Sequence, residues 1–270
     1  MRKVRDGQVA ATIVWSKTGG ALRTIINGRR NIATGIFVAI KGKHLPMPWE
    51  SEDCELPILE LAEFGSPIYS LMAQPHRLEI HRSDGMAPLV YFPDLMISAD
   101  GGFVDSVTSE TPFGRAVLEW DPTRTAGRPR ALVIEVKSDN DRRLKEPDYD
   151  HKLKLAEQAY HRKGLGFLTI KRTRDIDCVD FRPIREILQH KRTVVRTADL
   201  NAAYACAGPS GSRTQAGRVV EALGGGDLGW AKLSALHVRR ILSVDVTRGF
   251  LPSSPVAILD DGEAIWRAGR

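Results

Sequence analysis

The segment Ala131-Leu-Val-Ile-Glu-Val-Lys137 is the tightest constraint on how this 270-residue chain can fold. Its apolar, β-branched run reads as a strand buried on at least one face, yet it ends in a glutamate and a lysine. Alternate residues of a strand point to the same side, so Glu135 and Lys137 share a face. An unpaired carboxylate or ammonium there is costly to desolvate. Asp94 poses the same problem, because it follows Pro93 inside the apolar run Leu89–Ser98. Any fold must give these three charges partners.

The surrounding pattern alternates helix and strand. Ile58, Leu59, Leu61, Ala62 and Phe64 recur at helical spacing. Pro57 is tolerated only in a first turn, so that helix starts near Leu56 or is broken there. Ile68–Met72, Arg77–His81 and Leu89–Ser98 predict antiparallel strands. Gly102 to Arg130 reads as a loop or hairpin at the rim. Tyr149 to Lys163 predicts a helix stopped by Gly164, and Gly166–Ile170 a further strand. This order predicts an α/β sandwich with a mixed sheet.

A Gly, Pro and Ser cluster at Ala205–Ser212 reads as a linker. Beyond it, Thr214–Leu223 and Leu228–Leu242 predict helices, and Val244–Val246 with Pro255–Leu259 predict short strands. Helices followed by a β-hairpin suggest a winged-helix domain, a shape that serves protein docking as readily as DNA binding. Lys232, Arg239 and Arg240 are its candidate DNA-contacting cations. The expected division is residues 1–175 and 176–270.

Composition excludes more than it identifies. At 42% hydrophobic and 27% charged the chain is neither disordered nor fibrous. A formal charge of +6 permits an anionic partner without requiring one. Arg29, Arg30, Lys41 and Lys43 form the cluster best placed to run along DNA phosphates. Three widely spaced cysteines without a CxxC pair argue against a disulfide framework and a zinc site, and Cys178 and Cys206 read as small buried hydrophobes. No apolar run approaches the roughly 18 residues of a membrane span, and the basic start lacks an apolar h-region. A cytoplasmic protein without a membrane partner is expected.

Pro-Asp, a gap, then Glu-Val-Lys is the short signature of the PD-(D/E)xK nucleases. The chemistry needs hard oxygen ligands that hold Mg²⁺ and leave it some water, with Mn²⁺ able to substitute. The metal polarises the phosphodiester and lowers the pKa of an attacking water, and the lysine orients that water or stabilises the transition state. Each residue also has a plainer reading. Asp94 can cap a turn, Glu55 and Glu52 can complement a helix dipole, and an acid-x-Lys pair can be an ion-paired strand edge. Gln158 faces either the site or solvent. His151 and His161 are too far apart on their helix to share a metal.

Four ordered blocks add specificity: Gly35-Ile-Phe-Val-Ala-Ile through Trp49-Glu-Ser51, Glu55 with Leu59, Leu61, Glu63-Phe64 and Gln74-Pro75, then Tyr91-Phe-Pro-Asp94, then Ile134-Glu-Val-Lys137. Over about Gly35 to Lys171 the chain resembles the TnsA family of heteromeric-transposase endonucleases. The resemblance implies a restriction-endonuclease-like mixed sheet flanked by helices, followed by a winged-helix domain. It implies a Mg²⁺-dependent endonuclease that cuts the 5′ ends of a transposon in double-stranded DNA. A DDE-type transposase and a regulatory ATPase would be its partners. Carried over by position, Glu55 is the helix-borne acid, Asp94 the central metal-bridging carboxylate, Glu135 the second strand ligand and Lys137 the catalytic lysine. Gln74 takes a supporting position, and Glu52 is the alternative helix acid. A stand-alone nuclease of this superfamily, or a non-catalytic DNA-binding assembly subunit, are the other functions this pattern allows.

Overall fold

Pro93 divides the run Leu89–Ser98 into two strands that join different sheets. Proline brings no N–H to a ladder, so the break falls where the chain passes from one sheet to the other. The computed structural model describes residues 10–23, 33–81, 87–124, 128–139, 147–207 and 212–259. Arg29 and Arg30 lie outside these residues.

In chain order the N-terminal elements are β1 (Ala10–Trp15), β2 (Gly35–Val38), β3 (Pro46–Trp49), α1 (Glu55–Phe64), β4 (Ile68–Ala73), β5 (His76–His81), β6 (Leu89–Tyr91) and β7 (Leu95–Ala99). Then come α2 (Gly101–Thr108), α3 (Phe113–Leu118), β8 (Arg130–Lys137), α4 (Pro147–Arg162) and β9 (Gly166–Lys171). The rest comprises α5 (Phe181–Gln189), α6 (Thr197–Ala207), β10 (Arg213–Gln215), α7 (Ala216–Ala222), α8 (Gly226–Val238), β11 (Leu242–Val244) and β12 (Pro255–Ile258). The architecture is mixed α/β with several sheets.

The central sheet has the order β4-β7-β8-β9, antiparallel except for the last pair. Parallel strands need a crossover, and α4 supplies it between β8 and β9. One face of β8 carries Val133, which packs with Leu153, Ala156, Ala159 and Tyr160 of α4. Leu132, Ile134 and Val136 line the opposite face, in the larger core that contains Ile58, Leu59 and Leu61 of α1. By alternation Glu135 and Lys137 fall on the α4 face. The second sheet, β1-β5-β6, is antiparallel and closes over the α4 side with Leu78, Ile80 and Tyr91.

The segment read as a rim loop instead holds α2 and α3. Asp100 caps α2 by accepting the N–H of Phe103 at 3.1 Å. This short side-chain acceptor satisfies a donor that a helix start otherwise leaves unpaired. Helices α5 and α6 fill a stretch with no predicted element.

The larger apolar core runs on into the C-terminal elements, as far as Val256, and α5 and α8 pack on α1. Buried charges reinforce that junction. Nε of Arg240 donates to the Ser66 carbonyl at 2.6 Å, and its guanidinium lies 3.9 Å from the Tyr69 ring centre. Nζ of Lys41 donates to the Gly65 carbonyl at 2.7 Å, and the buried Glu63 carboxylate accepts the N–H groups of Ile40 and Lys41.

These contacts correct the expected DNA-facing cations. Arg240 is only 2% exposed. Lys232 bonds Asp199 at 2.7 Å, and Arg239 donates to the Thr193 carbonyl at 2.7 Å. All three serve packing between elements. Lys41 is buried as well, whereas Lys43 is exposed. Cys178 is exposed and Cys206 half-buried, because the turn after β9 and the outer side of α6 leave them near solvent. Gln158, His151 and His161 lie exposed on α4. No helix of the described residues is long and apolar enough to cross a membrane.

Candidate active site

Helix α1 begins at Glu55, which puts Pro57 in its first turn, the only helical position where its missing N–H costs nothing. Glu55 is half-buried, and its Oε2 accepts the N–H of Glu50 at 2.8 Å. Glu52, the alternative acid, is exposed in the preceding turn. Asp94 stands between Pro93 and β7, and its Oδ2 accepts the N–H of Val136 at 2.7 Å. Glu55 and Asp94 line one small cavity with Pro48, Ile58, Leu59, Ala73, Leu95 and Val136.

Gln74 holds Asp94 from behind. Its N–H donates to the Asp94 carbonyl at 2.9 Å, in the tight connection between β4 and β5. Its φ of 45° lies in the left-handed region that non-glycine residues rarely adopt. The strain is tolerated because both flanking strands are fixed in different sheets. This is a supporting position.

On the α4 side, Glu135 and Lys137 are each 3% exposed and form an ion pair through Oε1 and Nζ. The hydroxyl of Tyr149 donates to the same Oε1 at 2.8 Å, and the hydroxyl of Tyr91 donates to Oε2. The Tyr149 ring centre lies 5.0 Å from the Lys137 ammonium. Neither tyrosine was singled out by sequence reasoning, although Tyr91 sits inside the Tyr-Phe-Pro-Asp block. The usable signal is chemical: a buried carboxylate requires donors, and aromatic hydroxyls were the nearest ones in the pattern.

The charges act on one another. Burial pushes the Asp94 carboxyl well above its ordinary range, and the charges of Glu135 and Glu55 push it further. The Lys137 ammonium and the Val136 N–H oppose that shift. Glu55 is raised by burial and by the charges of Glu50 and Glu135, against the Glu50 N–H and Lys137. For Lys137 burial acts downward, but Glu135 overrides it and the ammonium is held above its ordinary value. Tyr149 is pushed up to about 12 by burial and by Glu135, so it stays a hydroxyl donor.

Glu55, Asp94 and the Glu135–Lys137 pair, from three separate stretches of the sequence, thus act on one another electrostatically. Among the described residues no group of three or more His, Cys, Asp or Glu side chains is close enough to hold a metal ion together. The donor chemistry of two of them still suits a hard divalent cation. Glu55 and Asp94 share a cavity, and each has a single oxygen hydrogen-bonded among the described residues, in both cases to a backbone N–H. A backbone donor orients a carboxylate without neutralising it. No protein-family model matches this chain, and no curated protein matches it.

Proposed function

We propose that the chain is a TnsA-like, Mg²⁺-dependent DNA endonuclease, with a restriction-endonuclease-like core and a C-terminal winged-helix unit. One observation carries the reading: beside a lysine held as an ammonium, burial and the charges of Glu55 on α1 and Glu135 on β8 raise the proton affinity of Asp94 before β7, and burial with the charges of Glu50 and Glu135 raises that of Glu55. Such mutual repulsion is costly in a purely structural site and is relieved by a divalent cation. The ordered sequence blocks that resemble the TnsA family point the same way.

In this reading Glu55 and Asp94 would hold the metal, with Glu135 as the family's further ligand. The metal would polarise the scissile phosphate and lower the pKa of the attacking water. Asp94 and Glu55 are oriented for this by fixed backbone N–H groups, so little reorganisation is needed when charge develops. Lys137, held as an ammonium, neutralises phosphate charge and is no proton acceptor. The Tyr149 ring covers Lys137 and would have to move aside for a phosphate to reach it. Transposon ends in double-stranded DNA, a DDE-type transposase and a regulatory ATPase complete the proposal as family-derived partners.

The closed Glu135–Lys137 pair favours a second reading. An ion pair with this much hydrogen bonding can be purely structural, as in a non-catalytic assembly subunit of the same fold. Nicking of supercoiled plasmid by the full chain in Mg²⁺ decides between them, with EDTA as the control. Asp94→Ala and Lys137→Ala should each abolish nicking and leave DNA affinity nearly unchanged. Nicking retained by either variant would reject the site.

A further inference from the structure

We propose that the cavity between the turn after α3 and strands β11 and β12 binds a small arylalkylamine with a hydroxyl on its ring, the hydroxyl entering first and the ammonium staying at the mouth. The cavity measures about 280 Å³, near the lower end of the range for small-molecule sites. It shares no lining residue with the Glu55–Asp94 cavity, and the inference does not rest on the nuclease reading.

The inner wall provides the first argument. Ser66, 3% exposed, and His237, 1% exposed, both line the cavity. Oγ of Ser66 and Nε2 of His237 are buried atoms with no hydrogen-bond partner among the described residues. The tautomer of His237 follows from its other nitrogen. Nδ1 accepts the Val244 N–H at 3.0 Å, and burial keeps the ring neutral, so the proton sits on Nε2. The Phe64 carbonyl is near enough to favour a ring proton, yet it makes no hydrogen bond with Nε2. A buried donor left unpaired is expensive to keep. A phenolic hydroxyl answers both groups, because its oxygen accepts from His237 while its proton goes to Ser66. Water alone would satisfy the two polar atoms but not the walls. Phe64, Val117, Val244 and Val256 are buried there and the half-buried Trp120 joins them, a surface that suits a flat ring.

Charge at the mouth provides the second. Glu119, Asp121 and Asp245 face a single guanidinium in the lining, that of Arg213. Arg213 is already bonded to Asp121 at 3.0 Å, and Glu119 is paired with Arg115 at 3.2 Å. Asp245 has no ion pair among the described residues and is bonded there only through Oδ1, by the N–H and hydroxyl of Thr247. The excess is therefore negative, and it favours an ammonium over a carboxylate or a phosphate.

Saturation-transfer NMR on the full chain measures the affinities of three probes: tyramine, phenethylamine and para-hydroxyphenylpropionate. Phenethylamine lacks the ring hydroxyl, and the propionate carries a carboxylate in place of the ammonium. Tyramine should bind about tenfold more tightly than phenethylamine, the scale of one buried hydrogen-bonding group. It should exceed the propionate by about tenfold or more, because the mouth repels that charge. Ser66→Ala should cut tyramine affinity about fivefold and leave phenethylamine within about twofold, whereas a general loss of structure would weaken every probe alike. Asp245→Asn should weaken both amines by about threefold and narrow their lead over the propionate. If Ser66→Ala does not fold, the wild-type ranking and Asp245→Asn carry the test. Tyramine that fails to saturate below about 10 mM overturns the inference, since a ligand of this size reaches that affinity even at the low efficiency of larger ones. Phenethylamine that binds as tightly as tyramine overturns it too, as does a Ser66→Ala loss shared equally by both amines.

Discussion

The ammonium of Lys137 rests on Oε1 of Glu135, the same oxygen that accepts the hydroxyl of Tyr149. With the Tyr91 hydroxyl of β6 on Oε2, three groups from two strands and a helix converge on one carboxylate, and the Tyr149 ring covers the pair. A charge so enclosed is held in place electrostatically and is shielded from reagents.

Shielding makes the first prediction. Acylation of lysines by an activated ester, read by mass spectrometry, should label Lys137 at least about tenfold more slowly than Lys43 or Lys154, because reaction waits on local opening. The Lys154 side chain is 66% exposed, against 3% for Lys137. Tyr149→Ala should remove most of that protection. Equal labelling of Lys137 and Lys154 in the wild type would show that the cover is not closed in solution.

The helix acid gives the second. Glu55→Gln should slow Mg²⁺-dependent nicking by about a hundredfold or more, since a ligand charge is lost while the shape is kept. Glu52→Gln should stay within about twofold, as surface substitutions away from such features do. Glu52 is exposed in the turn, whereas Glu55 is oriented by the Glu50 N–H and shares the Asp94 cavity. The opposite ranking would move the acid one turn back.

Sequence reasoning reached the central sheet, α1, α4 and β5 but not α2, α3, α5 or α6, for identifiable reasons. β8, α4 and β9 were legible because their apolar periods are unambiguous and Gly164 marks the stop. Leu89–Ser98 looked like one strand, because a period-2 pattern says nothing about which sheet each half joins; Pro93 was the overlooked mark. α2 and α3 went unread since Thr, Gly and Pro dominate that stretch, although Asp100 before Gly-Gly-Phe is a cap signal. Residues Asp94, Glu135 and Lys137 stood out as charges on apolar runs. Their partners Tyr91 and Tyr149 did not, because a tyrosine in an apolar pattern counts as core until a buried carboxylate is found beside it. Arg239 and Arg240 were misjudged for the converse reason: a pattern cannot tell an exposed arginine from one that caps carbonyls across a junction.

That junction gives the third prediction. Glu63 is fully buried, and Nζ of Lys191 lies 3.6 Å from its Oε1. Burial holds Lys41 well below its ordinary value, with Glu63 opposing and Arg240 adding to the shift. Glu63→Gln keeps the shape, removes the counter-charge and leaves a buried cation uncompensated. Urea unfolding should show a loss of about 3–5 kcal/mol, the usual effect of breaking one side of a buried pair. A loss under about 1 kcal/mol, the value typical of surface pairs, would mean that water reaches the cluster.

Two buried histidines give the last prediction, in which the sign can be worked out group by group. Burial lowers His76 from 6.5 to about 4 and His237 from 6.5 to about 3, the latter helped by the charge of Lys41 and opposed by the Phe64 carbonyl. Nδ1 of His237 accepts the N–H of Val244 at 3.0 Å, so a proton there would have to displace that donor. The unfolded chain binds these protons near the ordinary value of 6.5, and the native chain binds them only near the lowered values. Between those limits the unfolded state holds more protons, so unfolding free energy falls as pH falls from 6.5. Each histidine contributes about 1.4 kcal/mol per pH unit at most. Asp94 acts with the opposite sign, because its raised carboxyl takes up a proton in the native state first. Comparing wild type with His237→Gln cancels Asp94, and the glutamine carbonyl can still accept the Val244 N–H. Urea midpoints from pH 7 down to about pH 4.5 should therefore drop less steeply in the variant, by the share of one histidine. Superimposable profiles would mean that His237 is protonated in the native state, which the Val244 hydrogen bond forbids.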